Sequence, residues 1–197
     1  MSNVHVLLMA AGASIRMGTP KQLLPWGDTT IIEHQLSVLQ QVNLPITIVL
    51  GAHSEAILQK IDFKELNVIV NPNWKEGLGT SIAFGVKEIQ KTFPKTEGII
   101  IALVDQPFIE ASHYVNLITS IQSDKKQIIV SISEDGNWMP PVLFDANYFH
   151  ELQNLKGDKG AMKMIQNHKE CVTTIPCKTS LQDLDTMEDY SKFQPDH

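Results

Sequence analysis

The stretch Leu7–Gly27 reads LLMAAGASIRMGTPKQLLPWG. It continues an apolar run that starts at Val4 and predicts a buried strand. Small residues follow at Ala10–Ser14, where a glycine and short side chains let backbone N–H groups approach an anion. Arg16 and Lys21 add two cations to the same loop, and no acidic residue occurs up to its end. A buried strand that ends in a basic loop of small residues predicts a site for an anion such as phosphate.

Two common phosphate motifs do not fit this loop. A P-loop requires GxxxxGK[ST], whereas five residues separate Gly12 from Gly18 and the lysine follows three positions later. The dinucleotide fingerprint GxGxxG fails because Ala10 and Ser14 stand where glycines are required. An ordinary strand–loop junction with two surface cations is therefore the alternative to an anion-binding loop.

The composition is typical of one globular domain. A chain of 197 residues with 43% hydrophobic and 19% charged residues can bury a sizeable core. Its net charge of −6 argues against nucleic-acid binding, which requires a basic face. Met1–His5 does not begin a signal peptide, and no apolar run approaches the roughly 18 residues of a membrane span. We therefore expect a cytoplasmic protein with no membrane or nucleic-acid partner, whose Cys171 and Cys177 are reduced and partly buried.

Strands and helices alternate after the first loop. Apolar residues at helical spacing predict a helix over 31–42, which Thr29 or Thr30 can cap. Apolar runs at 46–50 and 68–70 predict strands on either side of a second helix. This alternation is typical of a parallel sheet with helices on both faces. The predicted fold class is therefore α/β, with a mostly parallel sheet that late strands extend, one of them antiparallel.

A second informative stretch is Asn71–Ile82, which reads NPNWKEGLGTSI. Asn71 ends a predicted strand, and strand ends of an open parallel sheet face the ligand crevice. Thr80 or Ser81 is expected to begin the following helix, and a helix cap after a glycine turn is the alternative to a binding role.

The third informative stretch is Gly98–Pro107, which reads GIIIALVDQP. Its apolar run predicts a central buried strand that carries Asp105 at the carboxyl end. Because an unpaired buried charge is costly, this carboxylate needs a partner. A Mg²⁺ ligand opposite the first loop is one account, and a helix cap or turn former ahead of Pro107 is the other.

Two further acidic segments come late in the chain. Leu155–Ala161 reads LKGDKGA, and Asp158 is expected to begin a helix there, where a carboxylate favours the positive helix end. Asp183–Tyr190 reads DLDTMEDY. In this segment, Asp185 is either a second metal ligand or the N-cap of the final helix.

Together these motifs resemble those of one family, the MobA/MocA-like molybdenum cofactor nucleotidyltransferases. The first loop matches AAGxSxRMGxxK followed by LLPWGDxTIIE, and the later segments match NPxWxxGxxxS, DxP and LxGDxGA. The segment Met139–Phe144 resembles GxPxLF, which lines the acceptor side in the family. Met187 departs from the proline of DxDTPEDY. The resemblance implies one nucleotidyltransferase domain over residues 1–197, with a Rossmann-like fold of the nucleotide-diphospho-sugar transferase type.

The resemblance also implies a set of site residues. The expected catalytic residues are Arg16, Lys21 and Asp105, and the expected Mg²⁺ ligands are Asp105 and Asp185. The expected nucleotide-binding residues are Met9, Ala10, Ala11, Gly12, Ala13, Ser14, Arg16, Lys21, Asn71, Gly79 and Ser81.

The implied reaction is Mg²⁺-dependent transfer of a nucleotide from an NTP to molybdopterin, with a molybdoenzyme or its chaperone as a candidate partner. In the family, AAG after the first strand accompanies cytidine transfer and AGG accompanies guanosine transfer, so Ala10–Gly12 favours CTP. The PKQ at Pro20–Gln22 also resembles cytidylyltransferases of isoprenoid synthesis. Transfer to another acceptor, such as a sugar phosphate or an isoprenoid precursor, and a non-catalytic accessory that binds nucleotide or cofactor are the alternatives.

Overall fold

The computed structural model describes residues 3–64, 66–122 and 125–195. The strands are β1 (Val4–Ala10), β2 (Pro25–Trp26), β3 (Thr29–Thr30), β4 (Ile46–Leu50), β5 (Asn67–Val70), β6 (Gly98–Leu103), β7 (Ile128–Ile132), β8 (Trp138–Asp145) and β9 (Val172–Pro176). The helices are α1 (Ile31–Gln40), α2 (Ser54–Lys60), α3 (Leu78–Thr92), α4 (Ala111–Thr119), α5 (Phe149–Leu152), α6 (Met162–Asn167) and α7 (Met187–Phe193).

The strand that leads into the first loop lies inside the sheet. All seven residues of β1 are buried, and β1 pairs in parallel with β4 on one side and β6 on the other. Within the described residues, the main sheet has seven strands in the order β5-β4-β1-β6-β8-β7-β9. Of these seven, β8 runs against its neighbours β6 and β7, and the other pairings are parallel. The mostly parallel sheet with one antiparallel late strand is therefore confirmed.

Helices cover both faces of this sheet, because successive side chains of a strand point to opposite faces. Val6 and Leu8 of β1 belong to a core with residues of α1, α2, α4 and α7. Leu7 and Met9 belong to a second core with residues of α3, α5 and α6. The α/β class with helices on both faces is confirmed as well.

Several helix starts test the sequence predictions. Thr30 caps α1 as expected, since its side chain accepts from the Glu33 N–H while the Glu33 carboxylate accepts from the Thr30 N–H. The prediction that Thr80 or Ser81 begins the next helix is wrong, because α3 begins at Leu78 after Gly77. Gly77 has φ 106°, a conformation that only glycine adopts easily, and it permits this earlier start.

The two late helix starts also differ from the prediction. Asp158 does not begin a helix, since α6 starts at Met162. Gly157 and Gly160 have φ of 72° and 54°, and these left-handed residues keep the segment between them out of a helix. Asp185 is not the N-cap of α7; that position belongs to Thr186, which forms a capping box with Asp189.

Both cysteines are free thiols, Cys177 buried and Cys171 partly exposed, as expected. None of the helices in the described ranges has the length and apolar character needed to span a membrane.

One buried histidine makes stability depend on pH. His5 of β1 is fully buried, its Nε2 lies 2.8 Å from the Thr47 hydroxyl, and burial lowers its pKa to about 4. In the unfolded chain the pKa is about 6.5, so between these values the unfolded state binds more protons. The contribution of His5 is therefore fully present above pH 6.5 and is lost as the pH falls towards 4.

We expect the free energy of unfolding of the wild type to fall more steeply between pH 6.5 and 4.5 than that of His5→Gln. Over this range, the wild type should lose about 2 kcal/mol more unfolding free energy than His5→Gln, because one pKa unit corresponds to about 1.4 kcal/mol. Urea unfolding at several pH values measures it, with exposed His150→Gln as the control. Parallel pH profiles for the wild type and His5→Gln would contradict the prediction.

Candidate active site

The carboxyl ends of β1 and β6 bring the first loop and Asp105 side by side. Met9 and Leu103 are paired in register, and the Val104 N–H donates to the Met9 carbonyl at 3.1 Å. The C-terminal segment joins them, because the Leu184 N–H donates to the Asp105 carbonyl at 2.9 Å. Three motifs that are distant in sequence therefore meet at one edge of the sheet.

Lys21 lies at the centre of this meeting point. Its ammonium forms an ion pair with the Asp105 carboxylate, lies 3.4 Å from Oδ1 of Asp185, and donates to the Leu184 carbonyl at 3.3 Å. Arg16 contacts the other oxygen of Asp185 at 3.1 Å. We call Arg16, Lys21, Asp105 and Asp185 the Lys21 cluster. The structure thus brings together all the predicted catalytic residues and both predicted metal ligands.

The members of the Lys21 cluster differ in exposure. The side chains of Lys21 and Asp105 are 11% and 15% exposed, whereas those of Arg16 and Asp185 are 73% and 48% exposed. The first pair is therefore a buried ion pair, and the second extends it to the surface. Burial by itself lowers the pKa of Lys21, but the charges of Asp105 and Asp185 outweigh it and raise this pKa above the usual value.

A third carboxylate lies beside the cluster. Burial, and then the negative charge of Asp105, raises the pKa of Asp183 to about 6. One oxygen of Asp183 is buried without a hydrogen-bond partner in the described part of the chain. Asp183 is the first acid of DLDTMEDY, and the sequence alone predicts no role for it.

The first loop is braced by side chains that sequence reasoning did not single out. The Gln22 amide donates to the carbonyls of Ala10 at 2.9 Å and Gly12 at 3.1 Å, and His53 Nε2 lies 3.1 Å from the Ala13 carbonyl. With its carbonyls bound in this way, the loop keeps N–H groups for other partners. Among the described residues, no protein oxygen accepts from the N–H groups of Gly12, Ala13 or Ser14. Free amides next to cations are suited to binding an anion.

A cavity of about 340 Å³ opens between the first loop, the segment around Trp74 and the end of β6. Among the predicted site residues, the cavity is lined by Met9, Ala10, Ala11, Gly12, Ala13, Lys21, Ser81 and Asp105. Larger hollows lie elsewhere, one of them around His5 and Phe93, so size alone does not identify the site. The free amides and the Lys21 cluster identify this cavity as the candidate site.

The remaining predicted nucleotide-binding residues lie outside the lining of this cavity: Ser14, Arg16, Asn71 and Gly79. The Asn71 amide donates to the Ser81 hydroxyl at 3.0 Å, and its oxygen accepts from the Asn73 N–H at 3.0 Å. Asn71 is buried and both ends of its amide are bound within the protein, so it braces the turn and Ser81. The Ser14 hydroxyl likewise accepts from the backbone N–H of Lys21 at 3.1 Å.

The LKGDKGA segment forms one wall of the cavity. The Gly79 N–H donates to the Gly157 carbonyl at 2.8 Å, and the exposed Asp158 lines the cavity. A Cβ on Gly77 would collide with the Asp158 carboxylate and would lie 2.6 Å from the Gly157 carbonyl oxygen. Glycine at position 77 therefore permits this close loop contact.

A second cavity, of about 590 Å³, has Asp183 in its lining. It lies between residues 133–139, at the turn from β7 to β8, and the loop 178–183. Met139 lines it, whereas Val142–Phe144 are buried in the sheet. The segment Met139–Phe144, expected on the acceptor side, thus reaches this cavity through its first residue.

The carboxylates of the Lys21 cluster can supply some, but not all, of the ligands of a magnesium ion. No group of three or more His, Cys, Asp or Glu side chains in the described residues is arranged to hold a metal ion. Asp105 and Asp185 supply two carboxylates, and Leu184 adds a carbonyl oxygen beside them. Mg²⁺ commonly takes one or two carboxylates and completes its coordination with substrate phosphates and water. The residues present fit that mode of binding.

The comparison with protein families identifies the class. Residues 6–172 match the family described as the MobA-like NTP transferase domain, so the chain belongs to this family.

Individual relatives carry different names. The chain is 27% identical over 191 residues to nicotine blue oxidoreductase of Paenarthrobacter nicotinovorans, covering 92% of each chain. It is 31% identical over 91 residues to molybdenum cofactor cytidylyltransferase of Escherichia coli, covering 46% of this chain and 47% of the relative. The manganese complex of Rv0371c from Mycobacterium tuberculosis superposes with a TM-score of 0.83 at 27% identity, covering 98% of each chain.

We expect Gly77→Ala to destabilise the protein by about 2–4 kcal/mol, because it adds an overpacked contact to backbone strain. Gly136→Ala is the matched control, since Gly136 also has positive φ but a Cβ there would meet nothing within 4 Å. It should cost only about 1 kcal/mol. Urea unfolding measures both, and equal losses would contradict a close contact at position 77.

Proposed function

We propose that residues 1–197 form a single nucleotidyltransferase domain that transfers CMP from CTP to the phosphate of molybdopterin or molybdenum cofactor, with release of pyrophosphate. The observation that carries the proposal is the Lys21 cluster at the rim of a cavity whose loop amides are free. Family membership supports nucleotidyl transfer as the reaction class. The identities of the acceptor and of the nucleotide base are proposed in addition to this reaction class.

The protein's part in this reaction is to position phosphates and neutralise their charge. The amides of Gly12–Ser14, together with Arg16 and Lys21, would hold the β- and γ-phosphates and stabilise the departing pyrophosphate. A phosphate nucleophile is already ionised at neutral pH, so the chain needs no general base. The second cavity, beside Asp183, is where the acceptor would approach.

Asp105 and Asp185 would hold a divalent ion, and we propose Mg²⁺. Such an ion, when bound, supplies Lewis-acid polarisation of the α-phosphate and orients the attacking oxygen. The manganese complex of Rv0371c supports divalent-metal use in a chain of this fold. The carboxylate oxygens are hard donors, as Mg²⁺ and Mn²⁺ require.

The preference for CTP rests on Ala11 and on one relative. The Ala11 side chain lines the cavity, where its methyl group would narrow the space for a purine edge. The Escherichia coli relative that matches part of the chain is a molybdenum cofactor cytidylyltransferase, which supports both CTP and this acceptor. Nicotine blue oxidoreductase, a relative matched over most of the chain, is named for another activity, so the acceptor must be tested directly.

The test is pyrophosphate release from CTP, GTP, ATP and UTP with Mg²⁺, with and without purified molybdenum cofactor. Release that requires both CTP and the cofactor is the expected result. If CTP releases pyrophosphate only when a sugar phosphate or an isoprenoid precursor is added, that compound is the acceptor in place of molybdenum cofactor. Tight nucleotide binding without release under any condition would overturn the proposal in favour of an accessory protein.

Asp105→Asn should lower metal-dependent kcat/KM on the order of 100-fold or more, because it removes a charged ligand while keeping the side-chain volume. Steady-state pyrophosphate release measures it, with exposed Asp62→Asn as the control. Circular dichroism should show both variants folded. Normal turnover by folded Asp105→Asn would rule out this carboxylate as a metal ligand.

Lys21→Ala should cost on the order of 3 kcal/mol in transition-state stabilisation, a loss typical of removing one preorganised donor. This corresponds to a fall in kcat/KM on the order of 100-fold. Lys95→Ala, outside the cavity lining, is the matched control. An unchanged kcat/KM for Lys21→Ala would remove this lysine from the phosphate site.

A further inference from the structure

The ammonium of Lys21 sits in a cage of three oxygen atoms. These are Oδ2 of Asp105, the Leu184 carbonyl at 3.3 Å and Oδ1 of Asp185 at 3.4 Å. Lys21 as a whole is only 9% exposed, so its stem is also packed away from water. A buried ammonium with two carboxylates and a carbonyl is a complete cation site made by the chain itself.

Contacts other than those of Lys21 also hold the segments that carry the cage. The Leu184 N–H donates to the Asp105 carbonyl at 2.9 Å, which joins the two segments. Thr186, which follows Asp185, is held by the capping box at the start of α7, with its hydroxyl 2.7 Å from the Asp189 carboxylate. The backbone that carries the three oxygens is therefore held by contacts that do not involve Lys21.

A divalent ion would need some of the same oxygens. Mg²⁺ binds carboxylate oxygens at about 2.1 Å, whereas the Leu184 carbonyl and the Asp185 carboxylate lie 3.3 and 3.4 Å from the ammonium, so these oxygens would have to close around the smaller ion. Two cations sharing two carboxylates would repel each other strongly, since partial burial reduces screening by water. The cage can therefore hold the ammonium or a divalent ion, but not both.

We propose that the Lys21 ammonium and a divalent ion compete for this three-oxygen cage, so that the ion enters when nucleotide phosphates draw Lys21 away. The inference rests on the proposed function, because it needs the phosphates to bind near the first loop. The free amides of Gly12–Ser14 and the exposed Arg16 provide that neighbouring anion site.

The competition makes metal and nucleotide binding cooperative. A nucleotide that engages Lys21 empties the cage and raises the affinity for the ion, and by linkage the ion raises the affinity for the nucleotide by the same factor. Without nucleotide, the Lys21 ammonium occupies the cage and keeps it closed to ions. The enzyme is thereby loaded with metal only when its substrate is present.

The test is the affinity for Mn²⁺, used as the probe ion, by titration calorimetry without nucleotide. Lys21→Met preserves an unbranched stem and removes the charge, so it should bind Mn²⁺ at least tenfold more tightly than the wild type. Lys21→Gln is the second variant, since it keeps a donor towards Asp105. Arg16→Met is the matched control: it also removes a cation that contacts Asp185, but one outside the cage, and its affinity should change by less than about threefold.

Two further measurements complete the test. A non-hydrolysable CTP analogue with a methylene group between the α- and β-phosphorus atoms should tighten Mn²⁺ binding in the wild type and do so much less in Lys21→Met. The double variant Lys21→Met/Asp105→Asn should lose the tighter Mn²⁺ binding that Lys21→Met shows alone.

The inference is overturned if folded Lys21→Met and Lys21→Gln bind Mn²⁺ no more tightly than the wild type. It is also overturned if Arg16→Met gains as much, since that result would reflect net charge alone. These outcomes are distinguishable from failure of the proposed function. Pyrophosphate release without any gain in Mn²⁺ affinity would retain the function and reject the competition. A gain in affinity without turnover would retain the cage and reject the function.

Discussion

The ion pair between Lys21 and Asp105 is the interaction on which the site depends. It joins residues that are 84 positions apart, and the contact with Asp185 reaches 164 positions along the chain. An uncompensated buried charge costs several kcal/mol, so each partner needs the other. The pair therefore fixes the first loop against the end of β6 and holds the C-terminal segment across both. One electrostatic requirement therefore positions the first loop, the end of β6 and the C-terminal segment.

The site combines free amides with paired charges. The free amides belong to the first loop, whereas Arg16 and Lys21 are paired with the carboxylates of Asp185 and Asp105, and Asp183 lies beside them. Burial, and then the negative charge of Asp105, raises the pKa of Asp183 to about 6, so keeping this carboxylate ionised beside the others carries a cost. Such a concentration of like charges beside a cavity is common at functional sites. The cost is offset by Lys21, whose own pKa is raised by the same carboxylates.

Much of the fold could be predicted from the sequence, because its signals are local. The apolar runs of β1, β4 and β6 predicted buried parallel strands, and Asp105 at the end of β6 followed from strand topology. Errors arose where distant loops decide local structure. The start of α3 depends on Gly77 docking against Gly157, and the role of Asn71 depends on Ser81 and Asn73. The bracing of the first loop by Gln22 is also a tertiary contact that spacing does not reveal.

In the proposed reaction, the bond between the α- and β-phosphates breaks and the nucleotide passes to an acceptor. Radiolabel from CTP labelled at either the α- or the γ-phosphorus can be followed with molybdenum cofactor and Mg²⁺ present. We expect the α-label on the cofactor and the γ-label in pyrophosphate. Transfer of the γ-label to the acceptor, or recovery of the α-label only as unchanged CTP or free CMP, would contradict the proposed reaction.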